Sequence, residues 1–228
     1  MSAERDGGPN PGLALYGYWR SSSSYRVRIA LNLKGLACEH RAVNLVRGDG
    51  EQTLPEYRSV NPLGLVPALV HGDRVIAQSV AICEYLDEVF PEPALLPADA
   101  AGRARVRCIV QSVASEIQPL NNSGVTRYLG EVMNQDQSAV QIWYRHWVAR
   151  GFSAVETWLA GPDTGRFCHG DHPTLADCFL VPQVYNAERF GCALDAYPRL
   201  MRIAGLCRSL DAFDQAAPEN QADAPQIL

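Results

Sequence analysis

The chain has 228 residues, 47% of them hydrophobic and 20% charged, and a net charge of −5, values ordinary for a soluble globular protein of one large domain or two smaller ones. The acidic balance, with no basic stripe on any segment that reads as helix, excludes nucleic acid, whose phosphates reward clustered Lys and Arg. No apolar run approaches the length that spans a bilayer, so no membrane contact is expected. Met1 to Gly12 is polar and rich in Gly and Pro, without the apolar core of a secretory leader. The seven cysteines (Cys38, Cys83, Cys108, Cys168, Cys178, Cys192, Cys207) are scattered, odd in number and never paired as C-x-x-C. They read as reduced thiols, most of them small core side chains, in a reducing compartment. A cytoplasmic protein is expected.

From Leu13 to Phe90 the pattern alternates strand and helix. Leu13 to Tyr18 is a short β-rich run. Ser24 to Lys34 has helical periodicity, with Val27, Ala30, Leu31 and Lys34 on one side and Gly35 placed to end it. Glu39 to Leu45 predicts a second strand and Leu65 to Val70 a third; a turn at His71-Gly72-Asp73 leads to a short strand, Arg74 to Ala77. Gln78 to Phe90 reads as a helix stopped by Pro91. The expected order is βαβ, a ββ hairpin, then α, a small sheet packed against helices. Pro91 to Gly102, rich in Pro and Ala, reads as a linker. Beyond it almost everything reads as helix: Arg103 to Tyr128, broken or kinked near Pro119; Ala139 to Leu159, with Ile142, Trp143, Val148, Phe152, Val155 and Leu159 on a broad apolar face; Leu175 to Phe190; and Pro198 to Phe213. The last fifteen residues, with Pro218 and Pro225 among Ala, Gln and Asp, are expected to be poorly ordered.

Several residues could carry chemistry. The run Arg20-Ser21-Ser22-Ser23-Ser24 lies between the first strand and the first helix. Hydroxyl residues cap helices, and the unpaired N–H groups and positive dipole of a helix start stabilise an anion such as a thiolate. One cap needs one serine, so the run exceeds that need, although solvated loop serines would explain the rest. Val66-Pro67 opens the third strand. Either the proline is an ordinary trans strand start, or the bond belongs to the roughly 5–6% of X-Pro bonds that are cis and turns the Val66 backbone toward the serine run, where it could pair with a peptide. Gln78-Ser79 opens the next helix, with Ser79 as its expected N-cap and a place for a carboxylate. Together the three suit a small peptide carrying a thiol and carboxylates. Thr174 and Asp177 form a capping-box pair and read as structural. His169 and His172 lack a partner at metal-ligand spacing and read as loop residues. Arg189, near the end of its helix, reads by itself as a solvated residue.

The segment from Tyr18 to Leu31 (YWRSSSSYRVRIAL) resembles the active-site signature of zeta-class glutathione transferases, the maleylacetoacetate isomerases. The likeness continues through Asn61-Pro62, Val66-Pro67-Ala68-Leu69, Gln78 to Ile82, Leu95-Leu96-Pro97, Ile117 to Asn122, Thr174 to Asp177 and Pro182 to Phe190, and covers nearly all of Leu13 to Pro218. The resemblance implies an α/β plus all-α protein: a thioredoxin-like N-terminal domain over residues 13–92 that binds glutathione, and an all-helical C-terminal domain over 99–218 that binds substrate. It implies a homodimer and a cis Val66-Pro67 bond. By the same resemblance Ser21, Ser22 and Ser23 surround the glutathione sulfur, Val66 beside Pro67 pairs with the cysteinyl backbone, and Gln78 and Ser79 hold the γ-glutamyl end. Gln52 contacts the glycyl end, Gln118 and Asn122 approach from the helical domain, and Arg20 and Arg189 receive the carboxylates of a dicarboxylate substrate.

The chain departs from the family in carrying Ser23 where cysteine is usual and Tyr25 where tryptophan is. A hydroxyl still donates to a thiolate, so the chemistry is expected to survive, without redox or covalent behaviour tied to that cysteine. The implied reaction uses glutathione as a cofactor: its thiolate adds to the cis double bond of a maleyl compound, the resulting single bond rotates, and elimination leaves the fumaryl product, with no metal. The implied place is tyrosine and phenylalanine breakdown. Maleylpyruvate isomerase and general transferase activity are the alternatives within the class, and a non-catalytic binding protein with the same fold is the alternative outside it.

Overall fold

The computed structural model describes residues 12–225. Of these, residues 12–93 and 215–225 form one compact unit and residues 94–214 a second. The first unit is built on β1 (Leu13–Gly17), a central strand whose apolar residues are buried on both faces. It pairs in parallel with β2 (Glu39–Ala42) and antiparallel with β3 (Ala68–His71), which pairs antiparallel with β4 (Arg74–Ala77), giving the order β2-β1-β3-β4. Helices α1 (Ser22–Leu33) and α3 (Ser79–Val89) pack on each other, with Leu15, Ile29, Leu31, Leu69, Ile82 and Leu86 sealed between sheet and helices. A short helix α2 (Pro55–Val60), absent from the sequence expectation, starts with proline at the position where a missing N–H costs nothing. The βαβ and ββα halves make this a thioredoxin-like domain.

The strand boundaries differ from expectation for local reasons. β2 stops at Ala42 because the Asn44 side chain accepts the N–H groups of Val46 and Arg47, each at 3.0 Å, and turns the chain. β3 starts after Pro67, which has no N–H to give a ladder. Helix α1 begins two residues earlier than periodicity suggests and is buried almost all round. Its Arg26, Arg28 and Lys34 are each at most 6% exposed. Lys34 Nζ donates to the Phe90 and Pro93 carbonyls at 2.8 and 2.9 Å and pairs with Asp87 at 2.7 Å.

The C-terminal segment was expected to lack structure; through residue 225 it docks instead on the first unit. Ala216 and Pro218 are buried, Arg28 Nε donates to the Ala216 carbonyl at 3.0 Å, and the Trp19 N–H donates to Asp223 at 2.9 Å. Composition misses this because the anchors are one backbone carbonyl and one carboxylate. The final three residues of the sequence lie outside the described residues.

The second unit is helical among its described residues: α4 (Ala100–Gln111), α5 (Gln118–Asn121), α6 (Ser123–Arg127), α7 (Gln137–Trp158), α8 (Leu175–Arg189), α9 (Pro198–Arg208) and α10 (Asp211–Asp214). The expected break near Pro119 takes the form of a widened π-type turn, Ser112–Ile117, between α4 and α5. Pro119 has no N–H for the carbonyl four residues back, and the backbone loosens to absorb the loss. On α7 the core positions are Tyr144, Val148, Phe152 and Val155, while Ile142, expected on that face, is 68% exposed. The expected helix from Pro198 to Phe213 breaks after Arg208.

The capping pair at α8 is as the spacing predicts. The sealed Asp177 carboxylate accepts from the Thr174 N–H at 2.8 Å, the Thr174 hydroxyl at 2.9 Å and the Cys168 N–H at 2.9 Å. Burial pushes the Asp177 pKa up, and those bonds pull against it. Asp177→Asn would turn an amide NH2 toward one of these donors, and chemical denaturation should show a loss of about 2–4 kcal/mol; a loss under about 0.5 kcal/mol would make the pair incidental.

Candidate active site

Strand register alone gathers the residues singled out in the first unit. Tyr16 of β1 pairs with Ala68, and Ala68 pairs with Ala77. The serine run that follows β1, Val66-Pro67 that precedes β3, and Gln78-Ser79 that follow β4 therefore emerge at one end of the sheet. That end is the carboxyl end of the parallel pair β1 and β2, the usual place for a ligand in such sheets. Gly17 closes β1 there; a Cβ on it would come within 3.1 Å of the Ser24 hydroxyl, a tight contact that would push the serine by a few tenths of an ångström.

The serines divide into two pairs. Ser21 is the N-cap of α1, its hydroxyl accepting the Ser24 N–H at 3.2 Å, and Ser24 is sealed with its own hydroxyl accepting the Tyr18 N–H at 3.4 Å. Ser22 and Ser23 keep hydroxyls and N–H groups without a hydrogen-bond partner among the described residues. They are the first two residues of the helix, where N–H groups point out of the end and the dipole is positive. Arg20 lies half-buried, its guanidinium 5.3 Å from the Trp19 ring centroid.

The turn that presents these serines is clamped from behind. The Ser21 N–H closes it on the Tyr18 carbonyl at 3.0 Å, and Arg28 donates to the Trp19 carbonyl at 2.9 Å. Burial lowers the Arg28 pKa to about 10, with Asp223 and Tyr25 countering it. Neither Arg28 nor Asp223 carried a sequence signal, since an arginine on a helix and a terminal aspartate both read as solvated.

The bond between Val66 and Pro67 is cis, as the family likeness implies. Neither the N–H nor the carbonyl of Val66 bonds to another described residue, while the Leu65 carbonyl beside it is held by the Tyr57 hydroxyl and the Asn61 amide, both at 2.7 Å. Ser79 was expected to cap α3 but is its first helical residue. The cap position falls to Gln78, exposed and left-handed at φ 72°, and no side chain caps the helix. Ser79 is buried, and its hydroxyl accepts from Arg26 Nη1 at 3.2 Å. Gln52 folds back over Gly50, a position with φ 91° where a Cβ would collide with the Gln52 amide; the buried Gln52 Oε1 has no partner. The open N–H groups at the start of α1 fit an anion, and the unpaired N–H and carbonyl of Val66 fit a peptide backbone.

The remaining candidates belong to the helical unit. Gln118 is half-buried at the start of α5. Asn122 caps α6, accepting the Val125 N–H at 3.0 Å and donating to the Pro119 carbonyl at 2.9 Å, which leaves it one free N–H. Arg189 is exposed in the last turn of α8, 4.9 Å from the Phe190 ring centroid, and Phe190 in turn stacks on Tyr144. No group of His, Cys, Asp or Glu among the described residues is arranged to hold a metal ion, and His169 faces Arg105. Burial pushes the Cys38 thiol up to about 11 and Cys83 up to about 12, and raises Cys168, Cys192 and Cys207 as well.

Residues 15–94 match the glutathione S-transferase N-terminal domain and residues 141–203 the glutathione S-transferase C-terminal domain. The chain is 50% identical over 214 residues to a maleylacetoacetate isomerase of Pseudomonas aeruginosa, covering 93% of this chain and 99% of that one. It is similar, with a TM-score of 0.90 and 47% identity over 93% of this chain and 100% of the other, to the holo structure of a maleyl pyruvate isomerase described as a bacterial zeta-class glutathione transferase. A maleylacetoacetate isomerase of Anaeromyxobacter dehalogenans, with dicarboxyethyl glutathione and citrate in its active site, matches with a TM-score of 0.84 and 46% identity over 96% of each chain. The chain belongs to the glutathione S-transferase family, within its zeta class.

The division among the serines is open to measurement. Ser21→Ala removes a cap and should cost about 0.5–2 kcal/mol in urea unfolding, whereas Ser22→Ala and Ser23→Ala should each cost less than about 0.5 kcal/mol. Equal losses at all three positions would mean that the second pair is structural too.

Proposed function

We propose that the chain is a glutathione-dependent cis–trans isomerase that converts maleylacetoacetate to fumarylacetoacetate in tyrosine and phenylalanine breakdown. The observation that carries the reading is the pair of unspent hydroxyls and N–H groups on Ser22 and Ser23 at the start of α1, at the same sheet end as the unpaired Val66 backbone. Glutathione would supply a thiolate that adds reversibly across the conjugated cis double bond, leaving a single bond free to rotate before elimination.

The chain's own residues then have distinct tasks. Ser22 and Ser23, with Ser21 able to turn its remaining proton outward, donate to the sulfur, and the helix start lowers its pKa. Val66 N–H and C=O pair with the cysteinyl backbone as an added strand would. Gln78 and Ser79 receive the γ-glutamyl carboxylate, and Gln52 the glycyl end. Gln118 and Asn122 contribute from the helical unit. Arg20 and Arg189 hold the substrate carboxylates and stabilise charge that develops on addition. The family likeness supports a homodimer and a cytoplasmic location.

Relatives named for maleylacetoacetate and for maleylpyruvate match this chain about equally, at 50% and 47% identity, so maleylpyruvate is the second reading. Rates on both substrates, with and without glutathione, decide between them. Isomerisation should vanish in thiol-free buffer, and persistence there would end the proposal. Arg189→Ala should depress kcat/KM for dicarboxylate substrates about tenfold more than for neutral electrophiles, since a charge-assisted hydrogen bond is worth about 1.5–3 kcal/mol; equal losses would make Arg189 structural.

A further inference from the structure

Arg26 is the largest side chain sealed inside the protein, 1% exposed on a helix whose neighbouring turn presents the serines. A charge in that position is costly unless it is compensated, and one guanidinium N–H, on Nη1, donates to Ser79 Oγ at 3.2 Å. Burial lowers the Arg26 pKa to about 10, so at neutral pH it remains a cation, and the Cys83 thiol, which interacts with it, is raised by its own burial.

The consequence falls on the direction of the Ser79 proton. A hydroxyl that accepts from a guanidinium on its inner side turns its own O–H the other way. Ser79 is the first residue of a helix that no side chain caps, so that O–H joins the open end of α3. The cation beneath also adds to the positive end of the helix dipole. We infer that Arg26 is a positioning residue that orients the Ser79 hydroxyl as a donor to the γ-glutamyl carboxylate of glutathione, selecting γ-glutamyl thiols over shorter ones from beneath the site. The inference rests on the glutathione reading above and goes beyond it by naming the residue that sets which end of the peptide is recognised.

The test compares glutathione with cysteinylglycine, which keeps the thiol and the glycyl end but lacks the γ-glutamyl group. Binding is measured by calorimetry on the full chain. Arg26→Lys should weaken glutathione about tenfold and cysteinylglycine less than about twofold, with kcat at saturating glutathione within about twofold of the parent. In a Ser79→Ala background the same substitution should have no further effect. Equal weakening of both ligands, or the same loss with Ser79→Ala already present, overturns the inference. A measurement that needs no substitution runs alongside: the Arg26 guanidinium N–H resonances of the ¹⁵N-labelled protein should move on adding glutathione and stay in place with cysteinylglycine. Equal movement with both ligands, or none with either while glutathione binds, overturns it as well. Failure of the parent protein to bind glutathione removes the functional reading and this inference together, whereas bound glutathione with no ligand-dependent difference removes this inference alone.

Discussion

Three cations sealed along α1 and its C-cap constrain the first unit. Arg26 and Arg28 lie in α1 and Lys34 is its C-cap, and each is at most 6% exposed. A buried cation without compensation costs several kcal/mol, so the surroundings have to supply acceptors at fixed places. Lys34 draws in the end of α3 through Asp87 and the Phe90 and Pro93 carbonyls. Arg28 takes the Trp19 carbonyl of the turn and the Ala216 carbonyl of the returning C-terminal segment. Arg26 takes the start of α3 at Ser79. The helix that presents the serines is thereby tied at both ends before any ligand arrives, and binding has less order to create.

That arrangement explains how two serines can be left unsatisfied. Ser21 and Ser24 fasten the turn to the helix and the strand, so Ser22 and Ser23 are free of structural duty. A solvated loop with the same composition would let all its hydroxyls wander and would hold nothing in place. Ser23, standing where the family usually has cysteine, keeps the donor and removes the redox chemistry. On the proposed reading the sheet end is an anion site that depends on hydroxyls, amide N–H groups and a helix dipole.

The sequence was legible where local chemistry decides the structure. The hairpin turn at His71-Gly72-Asp73, the capping pair Thr174 and Asp177 and the break at Pro119 each follow from the backbone needs of one or two residues. Long-range charge pairing was not legible. Nothing nearby in sequence reveals the acceptors of Arg26 and Arg28 at Ser79 and Ala216, 53 and 188 residues away. The docking of the C-terminal segment was hidden for the same reason. Ser79 was misplaced by one position because a left-handed, non-glycine cap at Gln78 has no compositional signal. In the helical unit, Asn122 and Arg189 each have an ordinary local explanation, a cap and a cation at a helix end. Only the family likeness singles them out as candidates.

The proposed reaction also asks something of the serine run that a conjugating enzyme does not need. Conjugation requires sulfur to attack once and leave with the product. Isomerisation requires the same sulfur to attack and then depart, and the leaving step improves as the thiol becomes more acidic. A helix start with two spare hydroxyl donors raises the thiolate fraction available for attack and stabilises the thiolate that departs. An anion site that stores no covalent or redox option, and whose donors are held by α1 whether or not the bond to carbon exists, suits a nucleophile that has to be released at the end of every turnover.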